Sequence, residues 1–152
     1  GMLDIDFSNV VLMGHSSGAH SAVLITTDTS YLVDSGVSVR GLIVLAGPYD
    51  LPLENAEVQP VFKSADDPRR TNPTLLASAE HPATLLIHGA DDERVDPTHS
   101  KKYHNVLQSL EVDSSLMLVE GSGHAAVVAA IATPLQNTNN VMPSILSFLD
   151  GI

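Results

Sequence analysis

"VVLMGHSSGAH", residues 10–20, opens on four apolar residues and turns at once into glycine, histidine and two serines. A short continuous apolar run suits a strand buried on both faces of a parallel sheet. The residues that follow, Gly14 to Gly18, fit G-x-S-x-G with Ser16 at the centre, and a helical pattern of Ala19, Ala22, Val23 and Leu24 starts near Ser17. A sharp strand-to-helix turn of this kind lifts its central serine above the sheet, with Gly14 and Gly18 expected to be small for close backbone packing. The helix N-terminus beneath Ser16 would favour developing negative charge. Taken alone, the same residues also describe a glycine-rich turn that caps a helix with Ser16 or Ser17.

Three further apolar runs lie downstream, Leu42 to Ala46, Ala83 to Ile87 and Leu116 to Val119, each ending at or near a glycine. The segments between them suit helices, so the order strand, helix, strand predicts an α/β fold. The expected architecture is a parallel sheet of about four strands flanked by helices, with right-handed crossovers. One helix is predicted from Asp96 as N-cap and Pro97 at the first position, carrying Tyr103, Val106, Leu107 and Leu110 at helical spacing. Another is predicted from about Asn140 to Leu149, with Val141, Ile145, Phe148 and Leu149 as its apolar stripe. Residues 48–82 are interrupted by Pro48, Pro52, Pro60, Pro68, Pro73 and Pro82. They read as a loop-rich excursion with one or two short helices, lying over the C-terminal strand ends and shaping a pocket. At 152 residues the chain suits a single domain.

Composition narrows the function classes. Asp and Glu number 18 against 7 Lys and Arg, a net charge of −11, which argues against nucleic acid or an anionic membrane as partner. With no cysteine, disulfides, thiolate chemistry and cysteine-bound zinc are excluded. The longest apolar run, "AAVVAAIA" at residues 125–132, is far shorter than the roughly 20 residues of a membrane helix, and no signal-like pattern opens the chain. A cytoplasmic protein is the expectation. Gly1 ahead of Met2 reads as the remnant of an expression tag, so that the encoded chain is expected to begin at Met2.

Two segments give the first turn its chemical meaning. "HGADDERVDP", residues 88–97, follows the third run, and "VEGSGHAAV", residues 119–127, follows the fourth, so an acid and a histidine fall at C-terminal strand ends. Ligands bind there in open parallel sheets. A serine hydroxyl needs a base to take its proton, which a neutral imidazole does, and a carboxylate must orient that imidazole and stabilise its charged form. Ser16, Asp92 and His124 occur in the order nucleophile, acid, base.

On "GHSSGAH", "LIVLAGPYDLPL", "NPTLLASAEHPATLLIHGADDERVDP" and "GSGHAAV" the chain resembles the α/β-hydrolases over nearly its whole length. Among them it is most similar to small carboxylesterases akin to feruloyl esterases and kynurenine formamidases. Gly89, Asp92 and Val95 match that family's G-x-x-D-x-x-V segment, which makes Asp92 the acid and Asp91 the reserve. The resemblance implies a serine carboxylesterase acting on a small-molecule ester, with the N–H of Ser17 as an oxyanion-hole donor and neither cofactor nor metal. It assigns His15 and His20 to packing or pocket lining, and Val95 to the pocket. Tyr49 and Asp50 are candidates to line the acyl or leaving-group pocket, Asp50 alternatively capping a turn. His88 is expected to be a packed strand-end residue, and His99 and His104 a solvated surface. The acidic cluster Asp91, Asp92, Glu93 and Asp96 lacks the spacing of a calcium loop and reads as a solvated loop with one catalytic acid.

The resemblance also implies something outside this sequence. An α/β-hydrolase nucleophile follows the fifth strand, whereas eight residues precede Asn9 here. Four strands and the loop, often "HGGG", that gives the second oxyanion donor are therefore expected to be missing. The strand Val10 to Met13 would then be an open edge, and a homodimer through it or the adjoining sheet faces is the expected assembly. Two alternatives stand beside the esterase: a catalytically silent descendant serving as an oligomeric or binding module, and a serine peptidase sharing the fold and triad order.

Overall fold

The computed structural model describes residues 6–132, 134–135 and 139–152; Gly1 and Met2, read above as tag remnant and start, lie outside them. Its sheet contains β1 (Val10–His15), β2 (Val39–Leu45), β3 (Ala83–Gly89) and β4 (Ser114–Val119), all parallel and in the order β1-β2-β3-β4. All four apolar runs became strands, each two residues longer than its run, with Ala46 falling just past the end of β2.

The runs are continuous rather than alternating because the two inner strands are covered on both faces. Leu42 and Val44 of β2 and Leu86 of β3 pack with Ala19, Val23, Tyr103 and Leu107 on one side. Ile43, Leu45, Leu85 and Ile87 pack with Val127, Ala130, Val141 and Ile145 on the other. The helices involved are α1 (Ser17–Thr27) and α4 (Thr98–Ser109) on the first face, with α5 (His124–Ala129) and α6 (Val141–Gly151) on the second. Removing one such fully buried leucine side chain typically costs about 2–5 kcal/mol, so the inner strands anchor the sheet. Among the described residues β1 pairs with β2 alone; it is half-buried along its length and leaves Met13 46% exposed.

α4 starts two residues beyond the expected cap, with Oδ1 of Asp96 accepting the Thr98 N–H at 2.8 Å. α6 spans the predicted region, with Asn140 before it and Val141 and Ile145 buried. The short α5, which begins at His124, was not foreseen; its residues read only as an apolar run. Between β2 and β3 lie two single-turn helices, α2 (Gln59–Phe62) and α3 (Pro73–Leu76), and a 3-10 turn, Pro68–Thr71. This segment is tied to α1 by the Nε2–H of His20, which donates to the Thr71 carbonyl at 2.8 Å, and by the Arg70 guanidinium, which pairs with Asp28 at the end of α1; within the segment the Thr74 hydroxyl donates to the Tyr49 carbonyl at 2.6 Å. No described helix is long and apolar enough to cross a membrane.

Candidate active site

Gly14 is the small residue that makes the first turn possible. A Cβ there would fall on the Gly18 backbone, because β1 runs directly into the first turn of α1. Gly18 departs from expectation: a Cβ at that position meets nothing within 4 Å, so the close approach constrains only Gly14. Between them Ser16 adopts φ +58°, a left-handed conformation rare for a non-glycine residue. It is held there by its own N–H donating to the Leu45 carbonyl at 2.9 Å and its carbonyl accepting the His20 N–H at 3.1 Å. The N–H of Ser17, first residue of α1, belongs to the group of helix N-terminal donors without an intrahelical acceptor.

The loops after β1, β3 and β4 bring three side chains into line. Oγ of Ser16 lies 2.9 Å from Nε2 of His124, and Nδ1 of His124 lies 2.7 Å from Oδ2 of Asp92. A carboxylate accepts, so Nδ1 carries a proton and Nε2 is free to accept from the serine hydroxyl. Asp92 is buried, and its other oxygen, Oδ1, accepts the N–H groups of Arg94 and Val95 at 2.9 and 3.0 Å. Burial alone would raise its pKa. The Val95 N–H, His124 and the Arg94 N–H outweigh burial and hold the carboxyl below the usual range, so it stays ionised. Asp91, the reserve acid, points its side chain to solvent while its N–H donates to the Ser122 carbonyl at 3.1 Å.

The remaining candidates divide. His15 donates from Nε2 to the His124 carbonyl at 2.9 Å, and its ring sits 4.7 Å from the His124 ring, so it braces the histidine of the line. Val95 acts through its backbone, on Asp92. Tyr49 does not face the cleft: its side chain is fully buried in the first core, stacked on Tyr103 at 5.1 Å and pressed against Gly47. Asp50 turns to α4, where Oδ2 takes the Lys102 ammonium at 2.9 Å, and this pair holds its carboxyl below the usual range despite partial burial. His99 and His104 are not the solvated pair expected. Both are half-buried, His99 accepting the Asp50 N–H at 3.2 Å and His104 bonded to the Ser114 hydroxyl at 3.0 Å.

A cavity of about 220 Å³ opens beside Ser17, between α1 and the segment that carries α2. Leu51, Val58, Val61 and Phe62 form apolar walls, and the His20 ring lines it with its Nε2 already committed to Thr71. A larger cavity of about 690 Å³, walled by Leu53, Gln59, Lys63 and Arg69, includes none of Ser16, Asp92 or His124. The sequence marks the aligned three and a pocket-shaping segment with short helices at 48–82, but not Leu51, Val58, Val61 or Phe62 as the cavity's walls, because a single helical turn after a proline-rich stretch carries no periodic signal.

A parallel sheet flanked by helices, with a strained serine turn after one strand and an acid and histidine after two later ones, defines an α/β-hydrolase fold. Within that class the chain belongs to the prolyl oligopeptidase family, whose model matches residues 2–151. No curated protein matches it. Among solved structures it is similar to a carboxylesterase from Lactobacillus plantarum WCFS1, with 20% identity and TM-score 0.70 over 82% of this chain and 49% of that one. It is also similar to a truncated carbohydrate esterase from gut microbiota, with 20% identity and TM-score 0.73 over 98% of this chain and 62% of that one. An acylaminoacyl peptidase matches with 17% identity and TM-score 0.69, over 94% of this chain and 24% of that one. The chain thus spans about half the length of the first of these relatives.

Proposed function

We propose that this chain carries the catalytic centre of a serine hydrolase that cleaves carboxylic esters. The observation that carries the reading is the continuous line Ser16 Oγ, His124 Nε2, His124 Nδ1, Asp92 Oδ2, at 2.9 and 2.7 Å. In the proposed sequence His124 takes the Ser16 proton as Oγ attacks the acyl carbonyl. Asp92 holds the resulting imidazolium, and the Ser17 N–H with the α1 N-terminus faces the oxyanion. Collapse expels the alcohol with the proton from His124 and leaves Ser16 acylated. Water, deprotonated by His124, then attacks the acyl carbon; collapse breaks the bond to Oγ, which takes the proton back from His124, and the carboxylic acid leaves. No cofactor enters this scheme. The cavity beside Ser17 suits a short, uncharged apolar group of the ester, as its size is below that of ordinary drug-sized sites.

The test is labelling with a fluorophosphonate probe. Ser16→Ala and His124→Ala should each abolish labelling that the unmodified chain shows, and an ester panel would follow. Labelling indifferent to Ser16 overturns the reading, and a folded chain that never labels favours a silent binding module. One donor of an oxyanion hole is worth about 2.7–4 kcal/mol, so a second donor from outside this sequence would raise the rate by about a hundred- to thousandfold. Membership of the prolyl oligopeptidase family favours a second reading, cleavage of acyl-amide bonds by the same serine. Turnover of paired ester and anilide substrates separates the two.

A further inference from the structure

His88 stands one residue before the end of β3 and four before Asp92, and it is fully buried. Its Nδ1 lies 2.7 Å from the Ser100 hydroxyl. Its Nε2 lies 2.9 Å from the Val95 carbonyl and 3.2 Å from Oδ2 of Asp92. A carbonyl and a carboxylate only accept hydrogen bonds, so the proton of this ring is on Nε2, and the Ser100 hydroxyl donates to Nδ1. Burial keeps the ring below the ordinary histidine range, against the pull of the Val95 carbonyl and Asp92, and it is therefore neutral.

The partners of that one N–H are the two ends of the same turn. Val95 donates its own N–H to Oδ1 of Asp92 at 3.0 Å and gives its carbonyl to His88, while Oδ2 lies between His88 and His124. An apolar residue at position 88 would fill the space, but the Val95 carbonyl and the Ser100 hydroxyl would lose their buried partner. Taking Asp92 as the acid of the hydrolase proposed above, we propose that His88 is its positioning residue. Its Nε2–H pins the 92–95 turn, and with it the carboxylate, in the orientation that receives His124. Ser100, in the first turn of α4, donates to Nδ1 and so ties α4 to the ring whose tautomer the Val95 carbonyl and Asp92 set.

The experiment pairs two variants with two readouts. His88→Gln keeps an N–H donor where Nε2 stands, and His88→Met fills similar space without one. Nitrogen-15 NMR of the imidazoles reads tautomer and hydrogen bonding without needing turnover. It should show His88 protonated on Nε2 and a strongly hydrogen-bonded Nδ1 proton on His124. In His88→Met that His124 signal should be lost, and the maximal rate of fluorophosphonate labelling should fall at least tenfold with the half-saturating concentration unchanged. His88→Gln should restore the signal and most of the rate.

A folded Met variant that keeps both signal and rate overturns the proposal. So does an equal loss in the Met and Gln variants, or a His88 protonated on Nδ1. If the Met variant does not fold, Ser100→Ala takes its place: with Nδ1 left without its donor, the His88 Nδ1 nitrogen signal should shift, the hydrogen-bonded Nδ1 proton signal of His124 should weaken and labelling should slow, and an unchanged His124 signal and rate overturn the proposal. Failure of the hydrolase reading is seen separately, as labelling that survives Ser16→Ala or is absent from the unmodified chain. The NMR comparison still decides, in that case, whether His88 orders the bond between Asp92 and His124.

Discussion

Gly89 and Ser122 meet backbone to backbone: a Cβ at position 89 would fall on the Ser122 carbonyl oxygen. That oxygen accepts the Asp91 N–H at 3.1 Å, so the loops after β3 and β4 are joined where they deliver Asp92 and His124. Gly89→Ala must push the loops apart. Overpacking of this kind costs about 1–3 kcal/mol. A displacement near 1 Å costs about a hundredfold in rate, so activity should fall further than stability. Thermal melts alongside initial rates check this, and an unchanged rate refutes it.

Asp92→Asn should leave the fold intact and lower kcat by about 10⁴-fold, because an amide cannot hold His124 in the required tautomer or stabilise its charge. Asp91→Asn should change the rate little, since that side chain faces solvent. Steady-state kinetics of the two variants decide between the neighbouring acids.

Acid should destabilise the protein in two stages. His20, His81, His88 and His99 are all held below the ordinary histidine range, chiefly by burial. Below about pH 6.5 the unfolded chain takes up protons at these positions before the folded chain does, so stability declines as the pH falls from 7 towards 5. Asp92 acts lower: its folded pKa is depressed, so its contribution is complete above about pH 3.9 and is lost as the pH falls through the folded value. Calorimetric melts at pH 7 and pH 5 test the first stage, and an equal Tm contradicts it.

Phe62 walls the cavity beside Ser17 and packs 5.8 Å from the His20 ring. Phe62→Ala should enlarge the cavity and favour longer acyl or alcohol groups. The shift in relative kcat/KM between acetate and hexanoate esters should be on the order of tenfold. A preference that does not move would place the substrate elsewhere.

We propose that the chain self-associates along β1, whose outer side is unpaired among the described residues and whose Met13 is exposed. Met13→Lys should disfavour such pairing, as lysine does on natural sheet edges. Light scattering at micromolar concentration should give a dimer for the unmodified chain and a monomer for the variant; a monomer for both ends the proposal.

Much of this molecule can be read from local pattern. The apolar runs at 10–13, 42–46, 83–87 and 116–119 are continuous because their strands are covered on two faces, and that periodicity survives in one dimension. Ser16, Asp92 and His124, which the structure brings into line, were recognisable because the chemistry proposed for them asks for those residue types at the ends of such strands. Tyr49 and Asp50 misled because proximity to a strand end does not reveal where a side chain points: the Tyr49 ring turned into the core and Asp50 towards Lys102.

His88 shows the limit most clearly. Its type and place were plain, yet nothing local says that Ser100, Val95 and Asp92 would gather around one imidazole, because those contacts form only when the turn after β3 closes beneath α4. Likewise Gly14 and Gly18 look alike in the motif, and only the packed turn distinguishes the one whose Cβ has no room. Periodicity and residue chemistry act along the chain and are written in it. Which side chain meets which is settled by the close packing of segments far apart in sequence.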